Sequence, residues 1–186
     1  MNKARVLGVV GWSGSGKTTL LVKLIPVLVR RGLKVATLKH AHHAFDVDKP
    51  GKDSYEHRKA GAGEVIVFSD RRWVQMHEIG DEPLPTLAQL LRKLSPCDLV
   101  LIEGFKRDPH PKLEVFRPEV GKSLLYPEDP AIVALAYPLP LSAADIPVVD
   151  LDDVEAVADL VCAQARPLDA VLVALEAGAV ATPSNG

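Results

Sequence analysis

The residues best suited to chemistry stand together in Gly11–Thr19, which reads GWSGSGKTT. Gly11, Gly16, Lys17 and Thr18 satisfy the pattern G-x-x-x-x-G-K-[ST]. Glycines let the backbone curl until successive N–H groups point inward at an anion. A helix beginning at Lys17 adds its positive N-terminal end. Lys17 then sets a full charge against the β- and γ-phosphates, and Thr18 offers its hydroxyl to Mg²⁺. Trp12, Ser13, Gly14, Ser15 and Thr19 complete the lining. A chance glycine-rich turn is the competing reading. Against it stand the apolar run Val6–Val10 before the loop and the helical spacing of Leu20, Leu21, Leu24, Leu28 and Val29 after it.

Such a loop needs a metal partner, and a carboxylate at the end of a neighbouring buried strand supplies one. The stretch CDLVLIEGFK offers Asp98 before the apolar strand Leu99–Ile102 and Glu103 after it. The phosphate loop lies at the C-terminal end of its own strand. In a parallel sheet Glu103 is on that side and Asp98 on the far side. Glu103 is therefore the expected partner of Mg²⁺, and with Lys17 the expected catalytic pair. Gly104 brings a backbone N–H towards the terminal phosphate. Lys106 and Arg107 follow, either to meet another anion or as a solvated turn.

The polar stretch KHAHHAFDVDKPGKDSYEHRKAGA, starting at Lys39, carries four of the six histidines: His40, His42, His43 and His57. It leaves the C-terminal end of the second strand. Three readings stand. H-x-H-H lacks the spacing of a structural zinc site, and no cysteine helps it. A solvated loop is the second. The third, preferred because long loops in compact domains are usually functional, is a nucleotide-sensing or second-ligand loop. In it Asp46 completes the Mg²⁺ shell, with Asp53 the next candidate. Asp53 or Ser54 is the expected N-cap of a short helix, Asp53–Ala60, that ends at Gly61 and Gly63.

The elements that must position these residues alternate. Val6–Val10 and Lys34–Leu38 read as strands joined by the helix Lys17–Arg31, a βαβ unit with parallel strands, and Pro26 should kink that helix. Val65–Ser69 and Trp73–Glu78 read as strands either side of a turn. Leu84–Leu94 and Val154–Ala165 read as helices. Leu99–Ile102, Ile132–Ala136 and Pro147–Asp150 read as further strands, and Lys112–Phe116 as a short strand in a hairpin away from the main sheet. The expected fold is α/β, of P-loop NTPase type, a mainly parallel doubly wound sheet flanked by helices with a small β-hairpin extension. Residues 1–166 form one nucleotide-binding domain and 167–186 a C-terminal helix or tail, of which GAVATPSNG resembles a frayed end. The 186 residues suit one core. A net charge of −2 gives no sign of nucleic acid or anionic membrane as partner. No apolar run approaches a membrane span, and the run near the N-terminus is too short for a signal peptide. Two cysteines without C-x-x-C spacing fit a reducing cytoplasm.

GWSGSGKTTL, the His40–Ala62 block, DLVLIEGFK and KLEVFRP together resemble the MobB family, GTP-binding adapters of molybdopterin-guanine dinucleotide synthesis, over roughly Lys3 to Ala165. The resemblance implies Mg²⁺-dependent GTP binding with slow hydrolysis, beside a MobA-type guanylyltransferase. It implies help in forming or handling the dinucleotide, with molybdopterin or its guanine dinucleotide as second ligand. It also implies a homodimer whose subunits share a sheet, with Lys112–Phe116 as the candidate region. Carried onto this chain, Gly11–Thr19 bind phosphates, Thr18 and Glu103 the metal, and the Asp46–Lys52 loop lines the site. No [NT]-K-x-D guanine reader is present; its place, after Ile132–Ala136, holds YPLPLS, leaving backbone groups near Ala136–Leu139 for the base. No water-positioning glutamine stands beside the loop, consistent with slow hydrolysis. The alternatives are a small-molecule kinase that passes the γ-phosphoryl group to an acceptor held by His40–Arg58, and a purely structural protein with a vestigial loop. For the kinase, Arg71, Arg72 and Arg107 are weak lid candidates.

Overall fold

A computed structural model describes residues 3–41, 45–138 and 144–181, with side chains to residue 178. His42 and His43, Leu139 with most of the YPLPLS segment, and the last five residues of the tail lie outside the described residues. The chain divides into two compact units, one built from residues up to His40 and from Leu87 onward, the other from Ala41–Thr86.

The first unit is an α/β/α sandwich with a P-loop NTPase-like fold. Its strands are β1 (Arg5–Val10) and β2 (Val35–Lys39); the hairpin of the second unit supplies β3 (Glu64–Phe68) and β4 (Trp73–His77). The first unit continues with β5 (Leu99–Glu103), β6 (Lys112–Val115), β7 (Ile132–Tyr137), β8 (Val148–Asp150) and the two-residue β9 (Arg166–Pro167). The sheet order is β2-β5-β1-β6-β7-β8, with β9 pairing antiparallel to β1. Every other pair in it is parallel. The strands β1 and β2 are thus parallel, as expected of the βαβ unit, but β5 lies between them.

Helices α1 (Lys17–Arg30) and α4 (Val154–Gln164) cover one face; α3 (Leu87–Arg92) and α5 (Leu168–Ala181) cover the other. The period of two along each strand assigns the faces. Leu7 and Val9 of β1, with Leu99 and Leu101 of β5, pack among Leu20, Leu24, Leu28, Val157 and Val161. Val6, Val100 and Ile102 pack among Leu87, Leu91, Leu168 and Val171. Strands buried on both sides need apolar residues at successive positions, which is why β1 and β5 read as unbroken runs. The helix α1 continues through Pro26 to Arg30.

The strand β6 corrects the expectation of a hairpin away from the sheet. It lies in the interior, parallel between β1 and β7. Alternating charge in KLEV suggests a solvated face, yet Lys112 and Glu114 are fully buried. Lys112 Nζ donates to Asp129 Oδ2 and to the Lys106 carbonyl, both at 2.7 Å. Glu114 accepts from the backbone N–H groups of Leu125 and Tyr126 at 2.9–3.0 Å. The segment after β6 thus folds back over the sheet and satisfies both charges, as burial demands. A strand paired on both edges also cannot be shared with a second subunit, which removes Lys112–Phe116 from that role.

In the second unit, β3 and β4 form a two-stranded antiparallel sheet, Phe68 opposite Trp73 and Val67 opposite Val74. This is the hairpin extension. The helix α2 (Asp53–Lys59) precedes it. Its N-cap is Lys52, with no side-chain cap, which corrects Asp53 or Ser54. Ser54 Oγ turns instead to Asp48 Oδ1 at 3.0 Å. The helix ends in a Schellman motif: Gly61 N–H donates to Arg58 O and Ala62 N–H to His57 O, with Gly61 at φ 103°.

Candidate functional site

The site is built where β1 and β5 end. After Val10 the chain turns through Gly11, Gly14 and Gly16, all at positive φ (143°, 81° and 93°). At Gly11 even a methyl group would meet Ser15 Oγ at 2.7 Å. The helix α1 starts at Lys17 from a left-handed Gly16, with no side-chain cap and no acidic residue in its first turn. Its first N–H groups therefore face the loop without a protein carboxylate competing for them.

Lys17 Nζ curls back over the loop and donates to the carbonyls of Gly11 (3.0 Å) and Trp12 (2.8 Å). Partial burial and then the charge of Lys106 push its pKa down, while Glu103 opposes them. Thr18 Oγ1 donates to Glu103 Oε1 at 2.8 Å, joining α1 to the end of β5. Lys39 Nζ, at the end of β2, stands 3.3 Å from the same oxygen. Two cis ligands of octahedral Mg²⁺, each at roughly 2.1 Å, lie roughly 2.9 Å apart. The Thr18–Glu103 oxygen pair fits that edge, leaving the other positions to phosphate and water. Hard oxygen donors and a single carboxylate suit Mg²⁺ better than softer metals. Among the described residues no group of three or more His, Cys, Asp or Glu side chains is placed to hold a metal.

Asp98 opens β5 at the opposite end, where its Oδ2 accepts from Lys34 N–H at 2.8 Å, so the structure separates the two acids as strand direction requires. Gly104 follows at φ 99° and Phe105 at φ 53°. A methyl at Gly104 would touch His40 Cβ at 3.0 Å, so the glycine permits close approach of the β2 exit. Its N–H donates to Val9 O at 3.4 Å. Phe105 is left-handed without being glycine, a strained turn directly after Glu103, and its ring lies 5.0 Å from that of His40. Ser15 Oγ is buried with no hydrogen-bond partner among the described residues.

Trp12 is pinned at the rim by an Nε1–H bond to Ser123 O at 2.7 Å. Lys106 Nζ stands 4.7 Å, and Lys122 Nζ 5.9 Å, from the centroid of its ring. Lys106 is thus committed to the rim, and Arg107 is exposed.

Gly11–Thr19, Glu103 and Gly104 are brought together in the first unit. Asp46 belongs to the second unit. There its Oδ1 accepts from Arg58 Nη1 at 2.9 Å, and that contact holds its pKa below the usual carboxylate value. Arg58 also reaches Glu78 Oε1 at 2.5 Å, and its own pKa is raised by the two acids. Asp46, Tyr55, Arg58, Lys59 and Glu78 line a cavity of about 220 Å³. Sequence reasoning missed two contributors to the loop's surroundings. One is Lys39, the last residue of a strand beside Glu103. The other is Arg117, two residues past β6: a methyl built at Gly16 would come 3.4 Å from its Nε. Their signal was position, each lying at or just past the C-terminal end of a strand.

A family model described as molybdopterin guanine dinucleotide synthesis protein B, MobB, matches residues 6–138. This chain belongs to the MobB family. It is 46% identical over 162 residues to the molybdopterin-guanine dinucleotide biosynthesis adapter protein of Escherichia coli (strain K12), covering 84% of this chain and 90% of that one. It is 43% identical over 162 residues to the adapter protein of the same name from Haemophilus influenzae, covering 86% and 89%. A crystal structure titled molybdopterin-guanine biosynthesis protein B superposes with a TM-score of 0.65 at 27% identity, covering 85% of this chain and 98% of the other. Within the family frame, the Thr18–Glu103 pair sits in the matched region. No helix among the described residues is long and apolar enough to cross a membrane.

Proposed function

We propose that the chain is a GTP-binding adapter of molybdopterin-guanine dinucleotide synthesis, with at most slow hydrolysis. One observation carries the reading: Thr18 Oγ1 and Glu103 Oε1 meet at 2.8 Å beside Lys17, at the mouth of the glycine loop. The loop amides and Lys17 bind the β- and γ-phosphates, and Trp12, Ser13, Ser15 and Thr19 line the cradle. Thr18 and Glu103 hold Mg²⁺, which when bound neutralises phosphate charge and orients the terminal group. Asp46, in the second unit, is paired with Arg58. Gly104 shapes the turn that follows Glu103. With Lys39 beside Glu103, turnover is slow and binding is the function.

The partner is a MobA-type guanylyltransferase, and the second ligand molybdopterin or its guanine dinucleotide, in a reducing cytoplasm. Homodimerisation falls to the β3–β4 hairpin. Phe68 and Trp73, opposite each other, are 80% and 61% exposed, and each strand keeps an unpaired edge.

Calorimetry with non-hydrolysable GTP and ATP analogues, with and without Mg²⁺, tests the reading. The expected result is Mg²⁺-dependent preference for guanine, lost in Lys17→Ala. Equal or tighter binding of the adenine analogue would refute guanine selection. Sedimentation of Phe68→Asp beside wild type tests the dimer; unchanged mass would refute the hairpin as its interface.

A further inference from the structure

The structure assigns to Arg117 a direct contact with the phosphate chain, on the side of the loop away from the metal pair. This deepens the nucleotide-binding reading and rests on it.

The sheet order sets the geometry. The strand β1, which feeds the loop, has β5 on one side and β6 on the other. The chain end of β5 delivers Glu103; the chain just past β6 delivers Arg117. The side chain of Arg117 lies against Gly16, the residue that starts α1, where a built methyl would come 3.4 Å from its Nε. Phosphate oxygens seated on the first amides of α1 are thus within the reach of the guanidinium.

Among the described residues the guanidinium is also largely uncommitted. Among the described residues its side chain meets Asp152 Oδ1, at 3.5 Å, and that carboxylate is 65% exposed. One long, solvated contact uses one of five donors, and an exposed pair of this kind contributes little. Its backbone, by contrast, is fixed. Phe116 N–H donates to Ala136 O at 3.0 Å, the Phe116 and Tyr137 rings stack at 5.6 Å, and Val120 N–H closes a turn onto Arg117 O at 3.1 Å. A fixed stem with a free planar fork is suited to bidentate recognition of phosphate.

Charge balance points the same way. A triphosphate carries about four negative charges when ionised, and Mg²⁺ cancels two of them. Lys17 cancels a third. The carboxylate of Glu103 adds one back, offset by Lys39 at 3.3 Å. Lys106 at the rim and Arg117, from the flank the metal does not reach, supply positive charge towards the rest.

The test uses the full chain, Mg²⁺, and three probes: a non-hydrolysable GTP analogue, the ATP analogue and inorganic tripolyphosphate. Arg117→Ala should weaken all three by a similar factor, roughly 10- to 100-fold, because a charged hydrogen bond to the shared phosphate chain is lost. Arg117→Lys should recover only part of the loss, since a point charge replaces a fork. Asp152→Asn should bind at least as tightly as wild type. Loss confined to the two nucleotides, with tripolyphosphate unaffected, would overturn the assignment in favour of a base or ribose contact. Unchanged binding in Arg117→Ala, with Lys17→Ala still abolishing it, would overturn it outright. If wild type bound none of the probes, the nucleotide reading itself would fall instead. A thermal melt of each variant separates a binding loss from unfolding.

Discussion

Acidification from pH 7 to pH 4 charges an imidazole that the fold keeps neutral. His110 is fully buried. Burial, reinforced by the charge of Lys112, pushes its pKa from 6.5 down to about 4; the Asp108 backbone and Asp129 oppose the shift. Between those values the unfolded chain holds a proton that the native state refuses. Stability therefore rises with pH across this window and is lost as pH falls through it. The stabilisation is full above the unfolded pKa and gone below the folded one. The gap of about 2.5 units corresponds to about 3 kcal/mol, at up to about 1.4 kcal/mol per pH unit. Urea unfolding at pH 7, 6, 5 and 4 measures it, with His110→Leu as the control that cannot titrate. Other groups, including Asp108 and Glu114, whose pKa values burial raises, contribute to both curves and cancel in the difference. Wild type should lose about 3 kcal/mol more than the variant between pH 7 and pH 4. Parallel curves would refute the reasoning, as would a native imidazole resonance titrating near 6.5.

The same ring sets a limit on β1. An alanine at Gly8 would place its methyl 2.8 Å from His110 Cδ2, so Gly8→Ala should cost about 1–3 kcal/mol by chemical denaturation, and His110→Ala in the same chain should restore part of it. Glu103→Gln should remove most of the Mg²⁺ dependence of triphosphate binding by calorimetry while leaving metal-free binding close to wild type. Glu114→Ala strips the acceptor from the Leu125 and Tyr126 N–H groups. Amide exchange across 122–126 should accelerate by at least tenfold, roughly the effect of leaving a buried donor unpaired. In the second unit, Arg58→Gln frees Asp46 and Glu78, and limited proteolysis should then cut within 41–86 first.

Much of this molecule could be read residue by residue. The glycine loop is local chemistry: a buried strand, residues that must adopt positive φ, and a helix that starts uncapped all lie within Arg5–Arg30. Strand direction alone separated Glu103 from Asp98, because parallel strands end on the same side. Boundaries drifted where packing outweighed pattern. Leu84–Leu94 reads as helical throughout, but only Leu87–Arg92 is helix. The antiparallel β9 has two residues, too few for any periodic signal.

The sequence by itself determined the glycine loop, the acid that ends a strand on the same side and the α/β class, because each depends on neighbours in the chain or on strand polarity. Only the tertiary structure decided the strand order, and with it the surroundings of the loop. KLEV alternates charge with apolar side chains and so reads as a surface strand. It becomes an interior one because Asp129 and the amides of Leu125 and Tyr126, from a later segment, meet Lys112 and Glu114 in the dry layer above the sheet. A buried charge is tolerated only where a partner arrives, and no local pattern announces a partner 11 to 17 residues away in a loop. That same placement of β6 beside β1 carries Arg117 to Gly16, which periodicity cannot foresee.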